Sequence, residues 1–193
     1  MRRSLAAVAG MALFAMGGAT PTELDPRGEG PAPRTTAPGQ ELSKVSFLLG
    51  RFTARSFVHT PEGKMGPITA DINTDWGLDS TILITHYDAR TTPVGPHRGL
   101  GVLTFDPGGK VYRYWWFDNW GQRSVREGGF VGDVLSLEGE LRTPNGPQKQ
   151  KLTWRKEGTG FEFRIFVDSG QGYGRFMEET ATSVTAVKDG AVK

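Results

Sequence analysis

The chain has 193 residues, 23 Lys and Arg against 21 Asp and Glu, and no cysteine. That length allows one domain with its own core, and the lack of cysteine excludes disulfides, thiol catalysis and Cys-ligated metals. A formal charge of +2 leaves no electrostatic footprint for nucleic acid.

Residues 1–19 carry the three parts of a secretory signal peptide. Arg2 and Arg3 start it, Leu5 to Met16 form an apolar run, and Gly17-Gly18-Ala19 offer small residues for cleavage before Thr20. The apolar run is short for a membrane span, which needs about 20 residues. The expected location is therefore exported, periplasmic or secreted, with no integral membrane segment after processing. Loss of Arg2 and Arg3 leaves 21 basic against 21 acidic residues, so the basic balance belongs to the leader. Residues 20–40, rich in Pro, Gly, Thr and charge, cannot bury enough surface to offset their ordering entropy and read as a disordered linker. A β-barrel domain is expected at 41–187, with 188–193 as a flexible tail.

Within that domain only Glu41–Leu49 reads as helical, with Ser43 as cap, Val45, Leu48 and Leu49 as apolar positions, and Gly50 at its end. From Phe52 onward the hydrophobic period is two. Strands are expected at 51–59, 68–76, 81–87 and 97–105, then across the aromatic stretch, then at 122–130, 134–141, 148–156, 161–168 and 173–185. Turn chemistry separates them at Pro61-Glu62-Gly63, Gly77-Leu78-Asp79, Asp106-Pro107-Gly108-Gly109, Pro144-Asn145-Gly146 and Ser169-Gly170-Gln171-Gly172. About ten strands at hairpin spacing predict an all-β fold, an up-and-down antiparallel β-barrel with a short N-terminal helix plugging one end.

The run Tyr112–Trp120 is the most informative stretch. Six of its nine residues are aromatic, out of twenty in the whole chain. It is apolar on both faces, whereas a half-buried antiparallel strand alternates apolar with polar. Tyr112, Tyr114 and Trp116 share one face; Val111, Trp115 and Phe117 share the other. Pairing Phe105 with Tyr112 places Gly101 opposite Trp116 and Gly99 opposite Asp118, so that rings can lie over bare backbone. A shift of one residue would put Trp115 there instead. The second apolar face suits either a cover by the N-terminal helix or a homodimer contact.

Several segments resemble the DUF1579 family of uncharacterised bacterial proteins. Phe47-Leu48-Leu49-Gly50-Arg51-Phe52 is similar to that family's opening LxGxW, with Phe52 where Trp is usual. Asp75-Trp76-Gly77-Leu78-Asp79 resembles its W-x-L-G turn. Gly99 to Asp106 with Tyr112 to Gly121 resemble GxGxxGYD…Y…W.D..G, and Phe161-Glu162-Phe163 and Met177-Glu178-Glu179 resemble its closing elements. The match covers nearly all of 45–185. It implies a calycin-like barrel, akin to lipocalins, fatty-acid-binding proteins and haem-binding nitrobindins, and no established reaction.

The three histidines, His59, His86 and His97, lie on separate strands without metal-ligand spacing, so no metal site and no cofactor is expected. Haem on one axial histidine, suggested by the nitrobindin analogy, would have to use His86 or His97. Glu178 shares sequence parity with Phe176 and so is placed inward, beside Arg113 or Arg175. The leading expectation is a binding protein for a hydrophobic or amphipathic small molecule. Trp76, Tyr114, Trp116, Phe163 and Phe176 would form its wall, with His86, His97, Arg113 or Glu178 as polar anchors. No residue is assigned a catalytic role. An enzyme acting on a hydrophobic metabolite in the same cavity is the alternative, and it requires a cavity His or carboxylate such as His97 and Glu178. A homodimeric structural barrel is the third reading.

Overall fold

The structure, a computed structural model, describes residues 39–143 and 146–184. The expected leader (1–19), nearly all of the expected linker (20–40) and the tail (188–193) lie outside the described residues, as do Pro144 and Asn145.

Ten antiparallel strands close into one up-and-down barrel in which each strand pairs with its neighbours in sequence and β10 returns to β1. They are β1 (Gly50–Thr60), β2 (Gly63–Gly77), β3 (Ile82–Ala89), β4 (His97–Asp106) and β5 (Val111–Asp118), then β6 (Arg123–Val131), β7 (Val134–Thr143), β8 (Gly146–Glu157), β9 (Gly160–Asp168) and β10 (Tyr173–Ser183). Closure leaves no free sheet edge. Barrels of about eight strands have room for side chains or one small ligand, and diameter grows with strand number. Ten strands therefore leave space inside.

Period-two patterning positions the walls. On β2, Ala70, Ile72 and Thr74 are buried while Thr69, Asp71 and Asp75 are exposed. Of the two registers open to the β4–β5 hairpin, the structure takes the one in which Phe105 pairs with Tyr112, Gly101 with Trp116 and Gly99 with Asp118. Asp106 Oδ1 accepts from the amides of Gly108 (2.9 Å) and Gly109 (3.2 Å), a side-chain mimic of a backbone turn. The rings then lean one pair along the ladder. Trp116 covers Gly99, and Tyr114 covers Gly101 with its hydroxyl 2.5 Å from where a Cβ would stand. Only glycine leaves room for this.

The N-terminal helix is shorter than predicted. It splits into α1 (Gln40–Ser43) and a 3-10 turn at Ser46–Leu48, and its cap position is Gly39, with no side-chain cap bond. Ser43 instead lies within the helix and donates back to the Gly39 carbonyl. Leu42, Val45 and Leu48 nevertheless join the core. The Tyr112 hydroxyl donates to the Glu41 carbonyl at 2.6 Å, which seats this segment at the barrel end nearest the β4–β5 turn.

Two register shifts reset which residues face inward. On β1 the ladder jumps between Ser56 and Val58, opposite Gly66 and Pro67; a proline cannot donate to a ladder and is tolerated at such a break. On β10 the jump falls between Arg175 and Met177, leaving Phe176 as the extra residue. Beyond it Met177, Glu179 and Ala181 share the inner face.

Outside, Trp115 faces Val102 and Val125 across the ladders. It is half-buried, and Phe117 beside it is 42% exposed. The helical segment is committed to the barrel end.

Candidate ligand-binding site

The inner wall encloses a cavity of about 410 Å³, within the range of roughly 300–1,000 Å³ usual for small-molecule sites. Leu48 of the 3-10 turn reaches it from the plugged end. At the opposite end His97, Trp120 and Phe176 form the rim, the last two 44% and 42% exposed. Between them the wall is mostly ring and aliphatic surface. Tyr114 meets Trp154 edge to face at 5.2 Å although two strands separate β5 from β8, and Trp154 leans on Phe163 at 4.8 Å. Rings from distant strands thus brace one another across the interior.

The rim is organised by Asp118, whose side chain is fully buried. Its Oδ2 accepts from Trp116 Nε1 (3.1 Å) and His97 Nε2 (3.2 Å). Its Oδ1 accepts from the amides of Trp120 (3.0 Å) and Gln122 (2.9 Å). One carboxylate therefore shapes the turn after β5 and orients two rings that line the cavity. Trp120 stacks on His97 with centroids 4.0 Å apart. With four donors already around it, Asp118 works as a brace and has little capacity left for a ligand.

Two further ionisable groups lie deeper. Arg126 on β6 is 5% exposed and donates to Ser124 and to Gln150, both uncharged; its Nε has no acceptor. Burial lowers its pKa to about 10, so the guanidinium remains charged at neutral pH. Glu179 on β10 is 3% exposed and accepts a hydrogen bond from Ser56 at 2.5 Å. Desolvation outweighs that bond and pushes its pKa up to about 7. Burial also raises the pKa of Tyr87 and Tyr114, further increased by the Glu179 charge, so both phenols stay protonated.

Of the residues singled out from sequence, Tyr114, Trp116, Phe163, Phe176 and His97 line the cavity together. Trp76 faces inward opposite Leu83 but packs against the core without reaching the cavity lining. The other three require correction. Arg113 is on the outer face, paired with Asp106 (3.0 Å) and Glu127 (2.6 Å), because it alternates with the inward Tyr112 and Tyr114. His86 is exposed on the outer face of β3, alternating with the inward Thr85 and Tyr87. Glu178 is also outside, bound to Lys64, Arg175 (3.0 Å) and His59 (3.5 Å). The bulge at Phe176 reverses the parity that had aligned the two, so the inward carboxylate is Glu179. Glu178 and His97, the pair on which an enzymatic reading would turn, are therefore not brought together.

Sequence reasoning missed Arg126, Gln150, Ser56 and Glu179. A signal existed for the first two. Residues directly opposite in a ladder share a face, so inward Tyr114 and Trp116 carry Arg126 and Ser124 inward with them. Likewise Leu152 and Trp154 on β8 imply an inward Gln150. On β6 Ser124 and Arg126 face in while Val125 between them faces out, 43% exposed, a local inversion of the usual pattern. Glu179 had no such signal, since a bulge is not visible in alternation.

Among solved structures, the chain is similar to the crystal structure of Rv2717c from M. tuberculosis, with a TM-score of 0.58 at 17% identity. That match covers 77% of this chain and 100% of the other. At that identity the likeness establishes the small barrel fold and nothing about its contents. No family model and no curated protein matches the chain, so the DUF1579 resemblance rests on its short motifs alone.

Proposed function

We propose that this is an exported binding protein for an amphipathic small molecule held inside the barrel. The observation that carries this reading is the cavity itself: about 410 Å³, walled largely by rings and aliphatic side chains, with a few polar groups directed into it. That combination is what small-molecule recognition requires: apolar surface for affinity and sparse polar groups for orientation. Export is proposed from the leader pattern of residues 1–19, and membership of DUF1579 from the motifs between 45 and 185.

The test uses the protein's own fluorophores. Trp116, Trp120 and Trp154 border the cavity, so entry of an aliphatic or aromatic amphiphile is expected to change tryptophan emission in a saturable way. Native mass spectrometry of protein from its own host is expected to show a retained small molecule. No saturable change across both ligand types, together with a bare protein mass, would overturn the proposal.

A further inference from the structure

Two ionisable side chains of opposite sign line one cavity without pairing with each other. Arg126 is held by the neutral groups of Ser124 and Gln150, and its Nε is unused. A guanidinium has five donors in a planar fork and no acceptor, so two hydrogen bonds leave most of that capacity idle. A buried cation without a counter-ion is strongly unfavourable, and proteins seldom keep one that nothing uses. Glu179 differs in kind. A carboxyl group can escape the penalty by holding its proton, and burial pushes it that way, to about 7. Arginine has no such escape. Near neutral pH and below, the lining therefore carries net positive charge, centred on Arg126. Among the described residues it is the one Lys or Arg in the lining, which suits a single negative charge better than a doubly charged phosphate ester.

We propose that the ligand is an organic acid with one carboxylate head and an apolar body, and that Arg126 is its counter-ion. This rests on the reading that the cavity binds an amphipathic molecule at all. The carboxylate takes the idle donors of the Arg126 fork as charge-assisted hydrogen bonds. The body lies against Leu103, Leu152, Trp154 and Trp116, which line the same space. The neutral amide of Gln150 completes the fork's contacts without neutralising it, so the positive charge stays available to the ligand.

The experiment titrates tryptophan emission of the full chain, at about pH 6, with dodecanoate, dodecanol and dodecyltrimethylammonium, which share a chain and differ in head charge. Dodecanoate is expected to bind about tenfold or more tightly than dodecanol, the scale of a buried charge-assisted bond, and the ammonium weakest. Arg126→Met removes the cation, and Gln150→Glu gives it a partner within the protein. Each is expected to bring dodecanoate down to the dodecanol level. A cooperative thermal melt close to that of the unaltered protein reports that each variant is folded. Equal affinity of acid and alcohol for the unaltered protein would overturn the proposal, as would tightest binding of the ammonium or an acid preference surviving in either variant. Binding of none of the three probes would instead count against the ligand-binding reading itself.

Discussion

The outer and inner walls of this barrel treat charge in opposite ways, and Glu178 and Glu179 show it at adjacent positions. Outside, Glu178 is surrounded by Lys64, Arg175 and His59, and the hydrogen bond from Lys64 is the largest cause of its lowered pKa. Inside, Glu179 has one serine hydroxyl and a raised pKa. The same contrast separates Arg113, paired with two carboxylates, from Arg126, paired with none among the described residues. Charges that water can reach are paired cheaply and contribute little. Arg126 and Glu179, which water cannot reach, have no ionic partner among the described residues, and a buried charge left so imposes a large penalty. Abundant pairing on the surface is thus weak evidence of a role, and its absence inside is the stronger pointer to a ligand.

The largest expected effect that sharpens this contrast is on pH-dependent stability. Burial raises the pKa of Glu179 from an ordinary 4.5 to about 7. The folded protein therefore keeps this proton where the unfolded chain has released it. The resulting stabilisation is complete below about pH 4.5 and is lost as the pH rises through about 7, a swing of roughly 3 kcal/mol. Glu179→Gln, which can still accept from Ser56, is expected to remove that swing and to be the more stable protein near pH 8. Urea melts of the two proteins across this range measure it, and parallel curves would break the contrast.

Next in size is the packing of rings over glycine. A methyl group at Gly99 would overlap the Trp116 ring, so Gly99→Ala is expected to cost about 1–3 kcal/mol. It should also shift tryptophan emission, because Trp116 must leave its bond to Asp118. Thermal melts with emission spectra test this, and an unchanged spectrum would show that the ring has slack.

The smallest effect belongs to the outer wall. Glu178→Gln is expected to change stability by less than about 1 kcal/mol, fading with added salt, and to leave ligand titrations unaltered. A loss of binding in that variant would erase the distinction between the two walls.

The parts of the fold that were legible depend on local chemistry repeated many times. Alternation on β2, Asp-Pro-Gly-Gly between β4 and β5, and glycine opposite large rings each constrain one hairpin, and nine hairpins in succession bring β10 back to β1. The site was legible only where alternation ran unbroken, as at Tyr114, Trp116 and Phe163. It was misread at Arg113 and His86 because polar residues were sought as anchors by type, although their neighbours in the same strand had already claimed the inner face. At Glu178 the inference followed parity correctly and failed at Phe176, because one inserted residue reverses every side chain after it.

Taken by itself, the sequence determined strand number, hairpin order and which residues of β5 share a face, since these follow from period and turn residues within a few positions of each other. The choice between the two registers of the aromatic hairpin fell to the structure. Only the tertiary structure decided which polar groups are sealed from water. Burial and pairing are properties of all ten strands together, and the bulge in β10 selects Glu179 over Glu178 through a shift in pairing with β9. The lone guanidinium of Arg126 emerges the same way, from what the barrel does not place beside it.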